Sequence, residues 1–146
     1  MKARAAIVLL ALTMSGGATP RAQEDEGVRL LLGRVERIVR AGDTAGFVAL
    51  LSGSADRTRA RDFASSELMP GVNRTVVQER DRQPLPGTLP GNGYRLMVDV
   101  LAEFGSRARI ATWRLDVRRT GDAGADREWS VADQERLSSV ENIYRV

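Results

Sequence analysis

The chain has 146 residues, of which 42% are hydrophobic and 28% are charged, and this length and balance fit one globular domain. It contains no cysteine and no histidine, which excludes disulfides, thiol nucleophiles, Ser-His-Asp arrangements and metal sites built from nitrogen or sulfur ligands. It also lacks the glycine-rich loops that bind nucleotides, so we expect no cofactor and no metal.

The start of the chain has the layout of a secretory signal peptide, which we assign to residues 1–22. Lys2 and Arg4 precede an apolar run, and small residues then permit cleavage after Ala18 or Ala22. The alternatives are a short membrane anchor or a disordered tail, but about ten apolar residues are too few to cross a bilayer. We therefore expect an exported protein, periplasmic or extracellular, that has no membrane contact after leader cleavage.

The formal net charge of +3 does not indicate nucleic-acid binding. Three basic residues and no acidic residue lie in the predicted leader, so the remaining chain is formally neutral. Beyond the leader, arginines alternate with acidic residues in segments 57–62 and 78–83, whereas a phosphate backbone requires a clustered basic surface. We expect no nucleic-acid partner.

Three helices are predicted in the first half of the remaining chain. The first spans residues 26–41 and ends at Gly42, and its apolar stripe consists of Val28, Leu31, Leu32, Val35, Ile38 and Val39. The second begins at a cap formed by Asp43 or Thr44, and it carries Phe47, Leu50 and Leu51 before Gly53. The third begins at Ser54 or Asp56 and ends before Pro70-Gly71, and its buried side consists of Ala60, Phe63, Ala64 and Leu68.

Strands are predicted in the second half. Residues 72–79 are rich in β-branched side chains, and residues 83–93 form an irregular loop that serves either as a lid or as a connector. After a turn in residues 118–126, a strand runs from Trp129 to about Leu137. A tight bend and a final short strand through Ile143, Tyr144 and Val146 complete the sheet.

Residues 94–117 are predicted to form the central β-hairpin of this sheet. A turn at Gly105-Ser106 places Phe104 opposite Arg107 and thereby fixes the register of the whole ladder. One face is then apolar, with the pairs Val100–Ala111, Val98–Trp113, Leu96–Leu115 and Tyr94–Val117. The other face is mixed, with the pairs Arg95–Asp116, Asp99–Thr112, Met97–Arg114 and Leu101–Ile110.

Helices followed by antiparallel strands predict an α+β domain in which helices pack on one face of a curved sheet. The order of a long helix, two short helices and long hairpins resembles the NTF2-like (SnoaL-like) superfamily of cone-shaped domains. This resemblance implies a single NTF2-like domain over residues 23–146. The main alternative is a cystatin-like sheet around one helix, which three helical segments ahead of the hairpin disfavour.

A second and more local resemblance involves residues 129–146, WSVADQERLSSVENIYRV. This segment is similar to amino-terminal modules that precede the catalytic domain in some exported bacterial M1-type metallopeptidases. The zinc-binding H-E-x-x-H motif of those enzymes is absent, since the chain has no histidine. The resemblance therefore implies at most a relative of the module without peptidase activity.

Carboxylates are the remaining groups that can carry chemistry. If Trp129 pairs with Val117, Asp133 lies opposite Trp113 and Glu135 opposite Ala111, so both carboxylates point into the apolar face and can act as acid or base. The preferred alternative is a bend or bulge after Val131 that brings both groups to water.

Four further residues complete the list of site candidates. Asp99 is a third candidate acid or base, although its pairing with Thr112 favours a structural role on the mixed face. The aromatic residues Trp113, Tyr94 and Trp129 are either core residues, which we prefer, or the lining of a ligand cage.

Two functional hypotheses follow from these observations. The first, which we prefer, is an exported non-catalytic binding or interaction module on an NTF2-like scaffold. Its partner is a small apolar ligand, another protein or, as the resemblance implies, a second copy that contacts the sheet. The second is a small pocket enzyme of the isomerase or lyase kind that uses a buried carboxylate.

Overall fold

The computed structural model describes residues 20–120 and 128–143, which form three helices followed by four strands. The elements are α1 (Pro20–Ala41), α2 (Thr44–Ala49), α3 (Arg57–Glu67), β1 (Arg74–Pro84), β2 (Gly93–Phe104), β3 (Arg107–Thr120) and β4 (Glu128–Ile143). The strands form one curved, open antiparallel sheet in the order β1-β2-β3-β4. This arrangement confirms the predicted α+β class. No helix within the described ranges has the length and apolar character needed to span a membrane.

The helix ends follow the predicted capping chemistry. Gly42 ends α1 with a φ of +60°, and the N–H groups of Gly42 and Asp43 donate to the carbonyls of Val39 and Ile38. Asp43 is the cap of α2, since its Oδ1 accepts a hydrogen bond from the N–H of Gly46 at 2.8 Å. Asp56 caps α3 in the same way. The first helix begins earlier than predicted, at Pro20, a residue that suits the first helical position.

The central hairpin has the predicted register from Tyr94–Val117 to Phe104–Arg107. Gly105 has a φ of +59°, the left-handed conformation that the first position of a primed hairpin turn requires. We call the side of the sheet that packs against the helices the inner face and the opposite side the outer face. The inner face carries the buried side chains Leu96, Val98, Val100, Ala111, Trp113, Leu115, Val117 and Val131.

The first strand is longer than predicted, and the following loop is shorter. Strand β1 begins at Arg74 and continues to Pro84, because Gln83 and Pro84 pair with Arg95 and Tyr94. A proline is tolerated there because it lies at the end of an edge strand. Residues 85–92 then join these two paired strands, and whether they serve as a lid or only as a connector stays a prediction.

The predicted bend after Leu137 is wrong, because β4 is one continuous strand to Ile143. Arg107, the first residue of β3, still pairs with Ile143, so the ladder extends along the whole neighbouring strand. Two β-bulges interrupt the regular pairing of β3 with β4, one at residue 132 and one at residue 137. At each of them β4 has an extra residue relative to β3. Tyr144 and Val146 lie outside the described residues.

Candidate functional site

Trp113 lies in the core between the sheet and α3. Its side chain has no solvent exposure, and its ring packs edge-on against Phe63 with centroids 5.1 Å apart. Phe63 in turn contacts Phe47 at a centroid distance of 5.4 Å. Since its ring packs with aromatic rings from α3 and α2, Trp113 serves as a core residue.

The other two aromatic candidates form a separate pair. The rings of Tyr94 and Trp129 stack at a centroid distance of 5.5 Å, and Arg119 lies over the Trp129 ring. A Cβ added at Gly27 of α1 would lie 2.4 Å from the indole nitrogen of Trp129, so only glycine permits this close approach of helix and ring. The pair therefore anchors the start of α1 to the sheet.

Among the described residues, one carboxylate is buried between the helices and the inner face, that of Glu67 in α3, which was not among the predicted site residues. Its side chain is 1% exposed, and its Oε2 accepts hydrogen bonds from Trp113 Nε1 at 3.0 Å and from Arg109 Nη2 at 3.1 Å. Its Oε1 lies 3.2 Å from Nη1 of Arg136. Each carboxylate oxygen thus has a cationic partner, as a buried charge requires.

The sequence did contain a signal for Glu67. Residues 60, 63, 64 and 67 follow the helical spacing of three and four, so Glu67 lies on the buried side of α3 together with Phe63 and Ala64. A charged residue at such a position is buried only when it is paired. Its partners Arg109 and Arg136 are distant in sequence, and their proximity could not be read from any local pattern.

The three carboxylates that the sequence analysis selected do not point into the interior. Trp129 pairs with Arg119 and not with Val117, so the register that would place Asp133 opposite Trp113 is wrong. The bulge after Val131 places Asp133 beside Asp116 and Glu135 beside Arg114, both on the outer face. The preferred alternative, a bulge that brings both groups to water, therefore agrees with the structure.

The outer face contains a network of ion pairs in which every selected carboxylate takes part. Arg114 contacts Asp133 at 2.6 Å and Glu135 at 3.5 Å, and Asp99 accepts hydrogen bonds from Thr112 at 2.8 Å and from Arg80 at 2.9 Å. These contacts neutralise the carboxylates by pairing.

Arg95 and Asp116 form the most regular pair of the outer face. Arg95 donates two hydrogen bonds, from Nε at 2.8 Å and from Nη2 at 2.9 Å, to the two carboxylate oxygens of Asp116. These bonds and the negative charge of Asp116 raise the pKa of the Arg95 guanidinium further above its already high ordinary value. Arg95 therefore stays charged at every pH at which the protein is folded.

A row of apolar side chains crosses the outer face at one end of the sheet. Cross-strand pairing aligns one residue from each strand: Val76, Leu101, Ile110 and Val140. We call these four residues the apolar row. The exposed fraction is 37% for Val76, 52% for Ile110 and 61% for Val140. A contiguous apolar row that faces water is characteristic of an interaction surface.

The described residues also line surface cavities away from the buried carboxylate. A groove of about 470 Å³ lies between α1 and β1, where Glu36 accepts a hydrogen bond from the edge-strand N–H of Val77 at 3.1 Å. A second cavity of about 400 Å³ is lined by residues of the outer-face network, including Arg95, Asp116 and Asp133. In the described part of the chain, acidic residues form no cluster that could hold a metal ion.

Comparison with solved structures identifies the fold. The chain is similar to a putative scytalone dehydratase from Novosphingobium aromaticivorans, with 8% identity, a TM-score of 0.58 and coverage of 87% of this chain and 91% of that chain. It is also similar to a designed NTF2-like protein, with 12% identity, a TM-score of 0.56 and coverage of 77% and 98%. A third similar structure is a hexachlorocyclohexane dehydrochlorinase, LinA-type3, from Novosphingobium barchaimii, with 11% identity, a TM-score of 0.54 and coverage of 87% and 97%.

These similarities show that the chain has the NTF2-like fold, as its resemblance to that superfamily implied. At such low identity they establish the fold alone. No protein-family model matches the chain, and no curated protein matches it. The similarity of residues 129–146 to peptidase modules stays a prediction.

Proposed function

We propose that this chain is a non-catalytic binding module that contacts a protein partner through the outer face of its NTF2-like sheet. The observation that carries the proposal is the apolar row, which extends across all four strands on a face that the helices leave open. Burial of these side chains against a partner would provide the favourable free energy of association. The ion pairs beside the row would orient the partner.

The interior supports the same proposal. Trp113, Phe63 and Phe47 pack against one another where a substrate pocket would lie between helices and sheet. Glu67 is the carboxylate that is directed into this region, and Arg109 and Arg136 engage it. A general base must reach a substrate proton, whereas here Arg109 and Trp113 donate to Oε2 of Glu67 and Arg136 lies 3.2 Å from Oε1, so both oxygens already take part in contacts within the chain.

A pocket enzyme is the second candidate function, and the buried position of Glu67 favours it. The scytalone dehydratase and dehydrochlorinase structures to which the chain is similar are named for enzymes. In an enzyme of this kind, Glu67 would leave Arg109 and abstract a proton from a ligand that displaces the aromatic rings. Such a reaction requires the interior to open.

A photo-crosslinking experiment would distinguish the two candidate functions. A photoreactive amino acid at Ile110 is expected to crosslink a protein from the exported fraction of a native host, whereas the same group at Leu89, which is 73% exposed, is not. Equal yields at both positions would contradict the proposal. Turnover of a small substrate that is abolished in Glu67→Gln but retained in Ile110→Ser would establish the enzyme instead.

We also propose that the protein is exported after removal of its first residues. The basic start, short apolar run and small residues support this proposal. Intact-mass measurement of protein secreted by a bacterial host is expected to give a chain that begins at Thr19 or Gln23. A soluble chain that retains its first twelve residues would contradict it, since a cleaved leader cannot persist.

A further inference from the structure

We propose that two copies of this chain pair antiparallel through the free edge of β4, with a twofold axis at Ser139. The proposal does not depend on the proposed function, because edge pairing leaves the outer face of both copies open. It begins from the difference between the two halves of β4. Trp129, Val131 and Gln134 in the first half are buried, whereas all residues from 135 to 142 are exposed.

Beyond Val131, no described segment pairs with the free edge of β4. At Val131 the edge is covered, because its N–H donates to the carbonyl of Leu50 and its carbonyl accepts from the N–H of Ser52, both at 2.8 Å. Within residues 20–120 and 128–143, β4 is the last strand in the order, so the sheet ends at the free edge of β4. An exposed edge of this length presents a row of unpaired main-chain groups to a further strand.

The contacts of Val131 determine which residues present these groups. In an antiparallel sheet, successive residues direct their N–H and C=O alternately toward one neighbouring strand and the other. The main-chain groups of Val131 point to the free edge. Each of the two bulges adds one residue to β4, so the alternation shifts by one residue at residue 132 and again at residue 137. Among the exposed residues, the main-chain groups of Arg136, Ser139 and Glu141 therefore face the free edge.

Charge then favours one of the three registers in which the twofold axis passes through a hydrogen-bonded pair of these residues. A twofold axis at Arg136 would place two arginines opposite each other, and an axis at Glu141 would place two glutamates opposite each other, which is unfavourable in both cases. An axis at Ser139 places Ser139 opposite itself, with both hydrogen bonds exchanged between the copies. Because residue 137 is the extra residue of a bulge, Glu141 in this register lies opposite Arg136 of the second copy, and this pair occurs twice.

The side chains are available for this pairing. Arg136 is 50% and Glu141 34% exposed, and both lie on the inner-face side of the strand. Arg136 contacts Glu67, and Glu141 accepts from Arg107, but a guanidinium carries five donors and a carboxylate accepts several hydrogen bonds. An edge that matches itself in charge and main-chain groups fits a second copy of the same chain in an isologous dimer.

The apolar row provides a further argument for a second copy. Val140 is the last residue of the row and lies one residue from the proposed axis. In the dimer it faces Ser138 of the second copy and is the diagonal neighbour of the Val140 of that copy, about 7 to 8 Å away. The two rows would then form one apolar stripe across eight strands. An unrelated strand would not reproduce this continuity.

Sedimentation analysis of the mature chain over a range of concentrations tests the proposal. We expect a reversible dimer for the wild type and for Ser139→Ala, which keeps the main-chain N–H. Ser139→Pro removes that N–H, and we expect it to weaken dimerisation at least about tenfold, the loss expected for a broken central hydrogen-bond pair. The monomer should still fold, with an unchanged circular dichroism spectrum, because this N–H does not contribute to the β3–β4 ladder.

A charge exchange provides the second test. Glu141→Arg alone and Arg136→Glu alone place like charges at both contacts, so we expect each variant to be monomeric. A mixture of the two restores opposite charges at both contacts, and we expect it to form heterodimers.

A monomeric wild type at all concentrations, a Ser139→Pro dimer as tight as that of Ser139→Ala, or no pairing in the mixture would overturn the proposal. Dissociation by Ile110→Ser together with unaffected Ser139→Pro would indicate a face-to-face dimer and would also overturn it.

Discussion

The inner and outer faces of the sheet are formed by the same strands but differ in what each side chain contacts. On the inner face, Trp113, Leu115 and Val117 have no measurable exposure and belong to the hydrophobic core, where Trp113 also donates to Glu67. On the outer face, charged residues pair within the chain, and the apolar row faces water. The difference indicates that the inner face provides most of the stability, while the outer face is free to interact. Mutations on the two faces should therefore have different effects.

The largest expected effect on stability is that of Trp113→Ala on the inner face. Removal of a large buried aromatic side chain leaves a cavity, and such substitutions cost about 3 to 5 kcal/mol. This is much of the stability of a small domain, which is typically about 5 to 15 kcal/mol. Urea unfolding followed by circular dichroism would measure it. A nearly unchanged free energy of unfolding would mean that Trp113 lines an open cavity rather than the core.

Glu67→Gln tests the buried carboxylate beside Trp113. The amide oxygen of glutamine can still accept one hydrogen bond, but the charge that pairs with Arg109 and Arg136 is lost. A hydrogen bond to a charged group contributes about 1.5 to 3 kcal/mol, and we expect destabilisation of about that size. The same urea unfolding experiment measures it, with Glu135→Gln on the outer face as the matched control. Greater stability in Glu67→Gln would point to a carboxylate kept for chemistry rather than for structure.

Arg95→Ala is expected to have a smaller effect, because the guanidinium lies on the outer face and is 38% exposed. Exposed ion pairs contribute less than about 1 kcal/mol. Asp116, however, is only 9% exposed and would lose both of its short hydrogen bonds, so we expect about 1 to 2 kcal/mol. The double variant with Asp116→Ala should be less destabilised than the sum of the single variants. Additive effects in that thermodynamic cycle would show that the pair contributes nothing to stability.

The sequence predicted the central hairpin fully and β4 poorly, for a physical reason. In the hairpin, a glycine turn and strict alternation fix the pairing locally, so Phe104 must lie opposite Arg107. The pairing of β4 with β3 depends on residues separated by a long connection and on two bulges. The assumed Trp129–Val117 pair is two residues out of register before the first bulge, because Trp129 pairs with Arg119, and each bulge then reverses the face of the residues that follow it.

The candidate site shows the same limit. The helical spacing of α3 was visible in the sequence, but the arginines that stabilise Glu67 belong to β3 and β4. Whether a carboxylate lies inside or outside depends on those distant partners. The apolar row was likewise visible only as the pair Leu101–Ile110, because the positions of Val76 and Val140 depend on the registers of both outer strands.

The smallest effect on stability is expected for Ile110→Ser, and this substitution separates the two faces most clearly. Ile110 is 52% exposed at the centre of the apolar row, and surface substitutions of this kind usually change stability by no more than about 0.5 kcal/mol. If the row is an interaction surface, the same substitution should nonetheless reduce crosslinking or affinity for the partner, because an apolar contact is replaced by a hydroxyl that must be desolvated.

Leu30→Ser is the matched control, since Leu30 is 56% exposed on α1, away from the row. Equal stability of the two variants together with loss of partner binding only in Ile110→Ser would place interaction on the outer face. A marked loss of stability in Ile110→Ser would instead show that the row is covered within the folded chain.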